Sequence, residues 1–494
     1  MGIIARQATL NTLLAYLGIG LGFVNVVLLY PKVLDADQFG LTRLLVSLAT
    51  IAAQVAQLGA ENTVIRYFPY FRDPEKDHRG LLGMLLLFGT AIGLFTMLVL
   101  GALQGVFADI FSDSNALFVT HGWLLLPIVF SEIHFILLRS YSRSLQRTVQ
   151  PSFIREFVLR LLQTALIGYQ AWRPMSFTDF MLLYTAIFLV STLLLVVDLY
   201  RAGQFKLGWA HRWLPRRLRK SMLTYSGYTL SGSLAGIILG NMDQLMIGAL
   251  LGDGLKYVAH YAVAFYFGSV IAAPARALQQ AAVPILADAW KQNDTAKIQM
   301  LYRSSSIVQF LISGFLFLLM VTSLDGLFAL LPAEYAGGAK VALVIGLSYM
   351  LTSAVQLGVG IISMSRSYRL DAFSSIGMLL VNLVANFFFI RSMGIVGAAY
   401  ATFLSLMLVN VFRTWILYSR YGLWPFDRRT VLVALLIIAV LGVMQFVPTV
   451  DNPYLSVIMR TAIAAALFLP AAYAMGLLKE LMEFSQRIRG KVVG

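Results

Sequence analysis

The residues able to do chemistry in this 494-residue chain are ionisable and amide side chains set inside long apolar runs. Positions spaced alternately three and four apart share one face of a helix. One such face reads Arg43, Ser47, Thr50, Gln54, Gln57 and Glu61; another reads Ala262, Tyr266, Ser269, Ala273, Arg276 and Gln280. A row of polar side chains is costly against lipid tails, and one arginine at mid-span costs roughly 2.5–3.5 kcal/mol on insertion scales. Groups carrying that cost face a watery cavity or a partner, so both faces are expected to line a cavity. Pro274 and Pro284 bracket Arg276 and predict a kinked or locally opened helix there.

Two further faces admit two readings. Asn11, Ala15, Gly18, Gly22 and Asn25 lie on one, and Ser226, Thr229, Ser233, Gly236, Gly240 and Asp243 on the other. Small residues every fourth position let helix backbones approach without any cavity. Asp243 could be a counter-ion to Arg276, a cation site or a helix-end residue. Glu132 and Arg139 are seven apart on one face, two turns from each other, so their pairing is open. Glu156 and Arg160 are four apart and can pair across one turn. His134 reads as a satisfied core histidine, and Arg66 and Arg413 as side chains snorkelling toward headgroups.

Other chemistries lack their signatures. No G-x-x-x-x-G-K-[ST] is present to cradle nucleotide phosphates, and Gly18-x-Gly20-x-Gly22 lies inside an apolar run with no strand before it. The five histidines are scattered without metal spacing, and there is no cysteine for a thiolate site or a disulfide. No cofactor and no metal are expected, and the chain is not expected to be an enzyme.

The elements that must position these residues follow from composition. Of the chain, 59% is hydrophobic and 12% charged, with a mean hydropathy of +0.78, which predicts a polytopic all-α membrane protein. Fourteen segments are long and apolar enough to span, at 10–33, 41–68, 81–107, 117–141, 153–172, 177–200, 222–251, 259–288, 304–331, 338–364, 371–391, 394–418, 430–448 and 454–478. The fifth is the weakest, since Arg155, Glu156 and Arg160 crowd its start. The first run lacks a cleavage site and is expected to be retained rather than removed.

With the N-terminus inside, 27 of the 38 Lys/Arg, Arg155 among them, fall in cytoplasmic segments and seven at outer ends. That asymmetry predicts a multi-pass protein of the cytoplasmic (inner) membrane with both termini cytoplasmic. The net charge of +15 therefore reads as a topology signal, and no nucleic-acid partner is expected. Its densest part, Arg201–Lys220, holds seven Lys/Arg and no acid; with Trp209 and Trp213 it is expected to lie partly at the headgroups, held by anionic lipid.

The chain also repeats. VLLYPKVLDADQFGLTRLLVSL and LMIGALLGDGLKYVAHYAVAF each end a span in Leu before an Asp-containing turn and an aromatic-small restart. Duplication recurs in transporters. The organisation expected is an N-lobe of six spans (1–200), a basic linker (201–221), a C-lobe of six spans (222–418), and two further spans with a tail (419–494).

With fourteen spans, a basic linker and the segments LDADQFGLTRLL, LGAENTVIRYFPYF, NMDQLMIGALLG and MGIVGAAYATFLS, the chain resembles the Wzx-type polysaccharide flippases of the multidrug/oligosaccharidyl-lipid/polysaccharide exporter superfamily. The two extra C-terminal spans and the pattern Glu61-Asn62-x-x-x-Arg66-Tyr67 favour that branch over drug/cation antiporters. Lipid II flippases are similar but typically carry arginines in the first span, where this chain has none between Arg6 and Lys32.

The resemblance implies two six-helix lobes around a cavity that opens alternately to either side. The implied cargo is an undecaprenyl-pyrophosphate-linked oligosaccharide moved from the cytoplasmic to the outer leaflet, alongside glycan polymerase and assembly proteins. Arg276, with Arg43 or Arg66, would meet the pyrophosphate. Gln54, Gln57, Gln280, Tyr261 and Tyr266 would meet sugar. Glu61 and Asp243 would serve as counter-ions or couple transport to H⁺ or Na⁺. An ion-coupled exporter of drugs or small amphiphiles keeps the fold and changes the cargo. A membrane glycan polymerase or ligase would need a sizeable outer loop, which this chain lacks, and a non-transporting scaffold is the remaining class.

Overall fold

A computed structural model describes residues 3–112, 116–208 and 215–492, and among them every regular element is helical. The described residues separate into two compact units, those up to 259 and those from 260 on.

The first unit begins with α1 (Ile3–Phe23), a π-helical segment at Val24–Leu29, α2 (Tyr30–Val33), α3 (Ala36–Ala56) and α4 (Ala60–Phe71). It continues through α5 (Leu81–Ala102), α6 (Gln104–Ser112), α7 (Ala116–His121), α8 (Leu125–Ser144) and α9 (Val149–Ser152). A second π-helical segment, Phe153–Val158, leads into α10 (Leu159–Trp172) and α11 (Phe177–Arg201). Then come α12 (Arg216–Leu250) and α13 (Gly254–Ile271), whose first turns belong to this unit. The second unit carries α14 (Ala273–Lys291), α15 (Thr295–Ala329), α16 (Gly338–Val355), α17 (Leu357–Met364), α18 (Tyr368–Met393), α19 (Ile395–Tyr421), α20 (Arg428–Met444), α21 (Pro453–Ala474) and α22 (Leu477–Val492).

Local sequence sets the ends. Ser176 Oγ accepts from the Asp179 N–H, and Asp294 caps α15 at the Lys297 N–H. Asp427 and Thr430 form a capping box on α20. Asn452 caps α21 ahead of Pro453, which sits where a missing N–H costs nothing. Gly394 and Gly422 end α18 and α19 with φ of 61° and 67°.

Among the described residues ten helices are long and apolar enough to cross a membrane, eleven if α13 and α14 count as one bent span. The fourteen spans expected from hydropathy all fall on helices, but that count is not reached by length and apolarity. Residues 153–172 begin in the charged π-helical turn, α20 is only 17 residues long, and the apolar part of α12 is Gly236–Leu250. The expected kink is present: α13 and α14 meet at 48° at Ala272, two residues before Pro274.

Within the first unit α8 packs on α3, α4, α5 and α11. Within the second, α15 is the most enclosed span, with 72% of its apolar window buried; it is covered by α16, α20, α21 and α22. The C-terminal helices are therefore part of a core rather than appendages. α22 seats Leu477 and Phe484 inward, and its Glu480 pairs with Arg429 and accepts from Ser304 Oγ at 2.9 Å.

The two repeated turns share a backbone. Leu34 (φ −115°, ψ 148°) and Leu251 (φ −108°, ψ 140°) are both extended between helices. The helices that follow them, α3 and α13, meet at their first turns, since a Cβ on Gly40 would overlap the Leu255 carbonyl.

Candidate functional site

The polar face expected along residues 43–61 is not one continuous helix. α3 stops at Ala56 and α4 starts at Ala60, with Leu58 and Gly59 between them at φ of 50° and 76°. Such a break frees backbone groups that hydrocarbon cannot satisfy. Here α12 satisfies the Leu58 carbonyl, to which Ser226 Oγ donates at 2.7 Å, while the Gly59 carbonyl accepts from the Thr63 N–H at 3.3 Å and Thr63 Oγ1 at 3.0 Å as well as from Thr229 Oγ1 at 3.4 Å. Thr63 Oγ1 lies 3.1 Å from Ser226 Oγ, and the Tyr67 hydroxyl 2.7 Å from Ser221 Oγ. Only glycine fits at position 59, because its φ is positive and a Cβ would overlap the Ser226 carbonyl.

Gln54 and Gln57 are enclosed at this break, 2% and 1% exposed. Gln57 accepts the Glu61 N–H at 3.0 Å and so caps the new helix. Ser47 Oγ donates to Gln244 Oε1 on α12 at 2.9 Å, and Asp243 beside it is buried. In this conformation these side chains hold helices together and present no open polar face.

Glu61 is the ionic centre of the break. Its Oε1 accepts from Arg139 Nη2 at 2.8 Å and Arg143 Nη1 at 3.4 Å, both on α8. One carboxylate between two guanidiniums leaves a local excess of positive charge. Glu132, also on α8, turns to a different partner: it accepts from Arg155 at 2.6 Å, and Arg155 also lies over the rings of Phe135 and Phe188. Arg155 is thus tied to α8 by a buried carboxylate, with its own side chain 27% exposed.

Glu156 and Arg160 pair at 2.9 Å, as their spacing expects. The Gly18 face of α1 is a packing face. Arg160 donates to the Gly18 carbonyl, Asn25 Nδ2 to the Arg160 carbonyl at 2.9 Å, and Asn11 Nδ2 to Thr148 at 3.0 Å. His134 is a satisfied core histidine, bonded to the Phe130 carbonyl and Thr90.

Arg43 is half-buried on α3, and its Nε meets no acceptor among the described residues. Arg66 is exposed in the middle of α4, with its guanidinium 4.3 Å from the centre of the Tyr225 ring on α12. The α4–α12 seam therefore differs at its two edges. One edge carries Arg66, Arg217 and Lys220 around a cavity of about 510 Å³. The other is an apolar cavity of about 410 Å³ lined by Leu58, Val64, Leu85, Phe88 and Leu223.

In the second unit Arg276 is exposed, and its Nη2 donates to the Ser269 carbonyl at 3.2 Å across the α13–α14 break. Tyr266 is half-buried one turn before the break. Tyr261 is buried with its ring against Phe265, while the Gln280 side chain falls outside the described residues. Gln279 is the amide that bonds, accepting from Gln356 Nε2 at 2.5 Å. Arg413 does not snorkel; it pairs with Asp371 at 2.8 Å and donates to Ser375. Of the basic stretch Arg201–Lys220, Trp209 and Trp213 fall outside the described residues. Lys206 pairs with Asp77 at 3.0 Å.

Missing from the sequence reading were the roles of Arg139 and Arg143. Each sits near an apolar run at helical spacing from another charge, but which helix it faces was not written in that spacing. Among the described residues no cluster of three or more acidic or histidine side chains could hold a metal ion.

The fold is shared with solved transporters. The structure described as the lipid II flippase MurJ in an inward closed conformation superposes with a TM-score of 0.75 at 12% identity, covering 96% of this chain and 100% of that one. An inward-facing multidrug resistance MATE family transporter of the MOP superfamily gives 0.61 at 14%, covering 83% and 94%. A MOP superfamily transporter from Pyrococcus furiosus gives 0.56 at 13%, covering 84% and 96%. No curated protein matches the chain. At these identities the likeness is one of fold: many apolar helices arranged as in the MurJ and MATE transporters. Residues 4–290 match the family described as polysaccharide biosynthesis protein, and the chain belongs to that family.

Proposed function

We propose that this protein is a flippase that carries a lipid-linked oligosaccharide from the cytoplasmic to the outer leaflet of the inner membrane by alternating access. The observation that carries this reading is the polysaccharide-family match on a fold that superposes along 96% of the chain with the lipid II flippase MurJ, against 83–84% for the MATE and Pyrococcus transporters above.

Residues 1–200 and 222–418 would form the two lobes, with both termini cytoplasmic. The matching turns at Leu34 and Leu251 support that division. The ionic groups inside the spans suit an anionic cargo. Arg43 has spare donor capacity, and Glu61 leaves two guanidiniums only half neutralised. Glu61 and Asp243 are the carboxylates available to couple movement to H⁺ or Na⁺. Anionic lipids would hold the exposed cations at the start of α12.

The test is twofold. A deletion strain should lose surface glycan and regain it with the intact gene. Proteoliposomes holding the purified chain should expose a lipid-linked oligosaccharide to an outside lectin. Altered drug sensitivity with unchanged glycan would replace this reading with that of a multidrug exporter.

A further inference from the structure

We propose that the first residues of the basic linker, 204–208, are a strap that locks the turn between α4 and α5 in a strained form. The strap thereby fixes the far end of α4, the arm that begins beyond the Leu58–Gly59 break. Nothing in this inference depends on what the protein carries.

The backbone of that turn, residues 72–80, departs from what side chains allow. Asp77, His78 and Arg79 have φ of 50°, 50° and 53°, and Gly80 follows at 73°, so four successive residues make one left-handed turn. A Cβ in that region crowds the following carbonyl oxygen, which is why residues other than glycine adopt it singly and not in runs. Local bonds start the turn: the Lys76 and His78 N–H groups donate to the Asp73 carbonyl at 3.2 and 2.8 Å. They do not carry three side-chain-bearing residues through it. Strain of this kind persists only where the surroundings impose it.

The strap is the surrounding that does so. α11 ends on Gly203 at φ 67°, with the Gly203 N–H donating to the Tyr200 carbonyl and the Gln204 N–H to the Leu199 carbonyl, both at 2.9 Å. This Schellman end sets the direction in which the chain leaves the helix, which is onto the turn. Gln204 Oε1 lies 3.3 Å from His78 Nε2, the one hydrogen bond of that ring among the described residues, since its Nδ1 meets no partner. The Gln204 carbonyl accepts from Tyr141 Oη on α8 at 3.3 Å, and Lys206 pairs with Asp77 at 3.0 Å. The backbones also touch. A Cβ on Gly83 would overlap the Gly208 carbonyl, and one on Gly208 would lie 2.9 Å from Gly80 Cα. Asp77, His78 and Gly80 are therefore each held by a residue of the strap.

His78 passes the restraint on to α4. It is 5% exposed, with its ring tilted against Phe68 of α4 at 5.4 Å and edge-on to Tyr141 at 6.4 Å. With the strap off, the turn relaxes from its left-handed form, His78 leaves this ring cluster, and Phe68 loses a neighbour. The start of the linker and the far end of α4 thus open together or stay closed together.

The test is hydrogen exchange on the full chain in neutral detergent. Gln204→Ala with Lys206→Ala should speed exchange across residues 68–83 at least about tenfold, while α15 in the other unit keeps its rate. Arg79→Gly and Arg79→Ala lose the same side-chain contacts, so their difference reads the backbone alone. Exchange across 68–83 should be at least about threefold slower with glycine, the reverse of what glycine does in an unstrained loop. Unchanged exchange in the strap variant would overturn the proposal. So would an Arg79→Gly protein that exchanges as fast as Arg79→Ala or faster. Faster exchange in α15 as well would mean that the strap variant has lost its fold, and the Arg79 comparison then decides.

Discussion

Arg139 Nη2 lies 2.8 Å from Glu61 Oε1, which ties the C-terminal part of α8 to the first turn of α4 just beyond the break at Leu58 and Gly59. Glu61 is also reached by Arg143, so three charges from two helices share one contact. Glu61 is 15% and Arg139 27% exposed, which limits screening of that pair, while Arg143 is exposed and its contact is screened by solvent. Removing Glu61 leaves two guanidiniums facing each other. Glu61→Ala should therefore destabilise the protein by about 2–4 kcal/mol, and Glu61→Ala with Arg139→Ala by less than the sum of the two. Thermal unfolding of the four proteins of that cycle in detergent checks this. Additive losses would mean that the pair contributes no coupling.

Glu132 and Arg155 form a more enclosed pair, at 2.6 Å, with Glu132 7% exposed and Arg155 sandwiched by Phe135 and Phe188. Arg155→Ala strands a carboxylate among apolar side chains and should cost about 3–5 kcal/mol. Glu132→Gln with Arg155→Met removes both charges and keeps volume, and should recover most of that loss. The readout is again the melting temperature, with protein abundance in membranes as a second measure. If the double variant were the less stable of the two, the burial argument would fail.

These pairs show where sequence stops being informative. Helical spacing revealed what lies on one helix: the Glu156–Arg160 pair, the break beside Pro274, the satisfied His134. Hydropathy placed the apolar helices. Spacing carries no information on how each helix is rotated against its neighbours, and that rotation decides that Glu132 faces Arg155 while Arg139 faces Glu61. The polar row from Arg43 to Glu61 was visible, but the turn of backbone at Leu58 and Gly59 was not. That turn converts Gln57 into a cap and delivers two carbonyls to the hydroxyls of α12. Arg413 looked like a snorkelling side chain because its partner, Asp371, belongs to the neighbouring helix.

Arg276 offers a cleaner separation of function from folding. It is exposed, and its side chain's one hydrogen bond among the described residues is the Nη2 contact to the Ser269 carbonyl across the α13–α14 break. Exposed substitutions usually move stability by no more than about 0.5 kcal/mol. Arg276→Ala should therefore keep a near-native melting temperature, while glycan export falls several-fold if the guanidinium meets the cargo. Export at the wild-type level with normal abundance would remove Arg276 from the proposed cargo site.

The contact between α4 and α12 can be tested by covalent chemistry because the chain has no cysteine of its own. Thr63 Oγ1 and Ser226 Oγ are 3.1 Å apart, so Thr63→Cys with Ser226→Cys places two sulfurs within reach of each other. Alternating access requires some helix contacts to open and close, and this one includes four hydroxyl bonds. Such bonds contribute only about 0.5–1.5 kcal/mol each, so the seam can part and re-form. Oxidation of the double-cysteine protein in membranes should therefore give a bridged species and stop glycan export, and a reductant should restore it. Each single-cysteine protein should be insensitive to the oxidant. A bridged protein that still exports would show that α4 and α12 stay together throughout the cycle, and the moving contact would have to lie elsewhere.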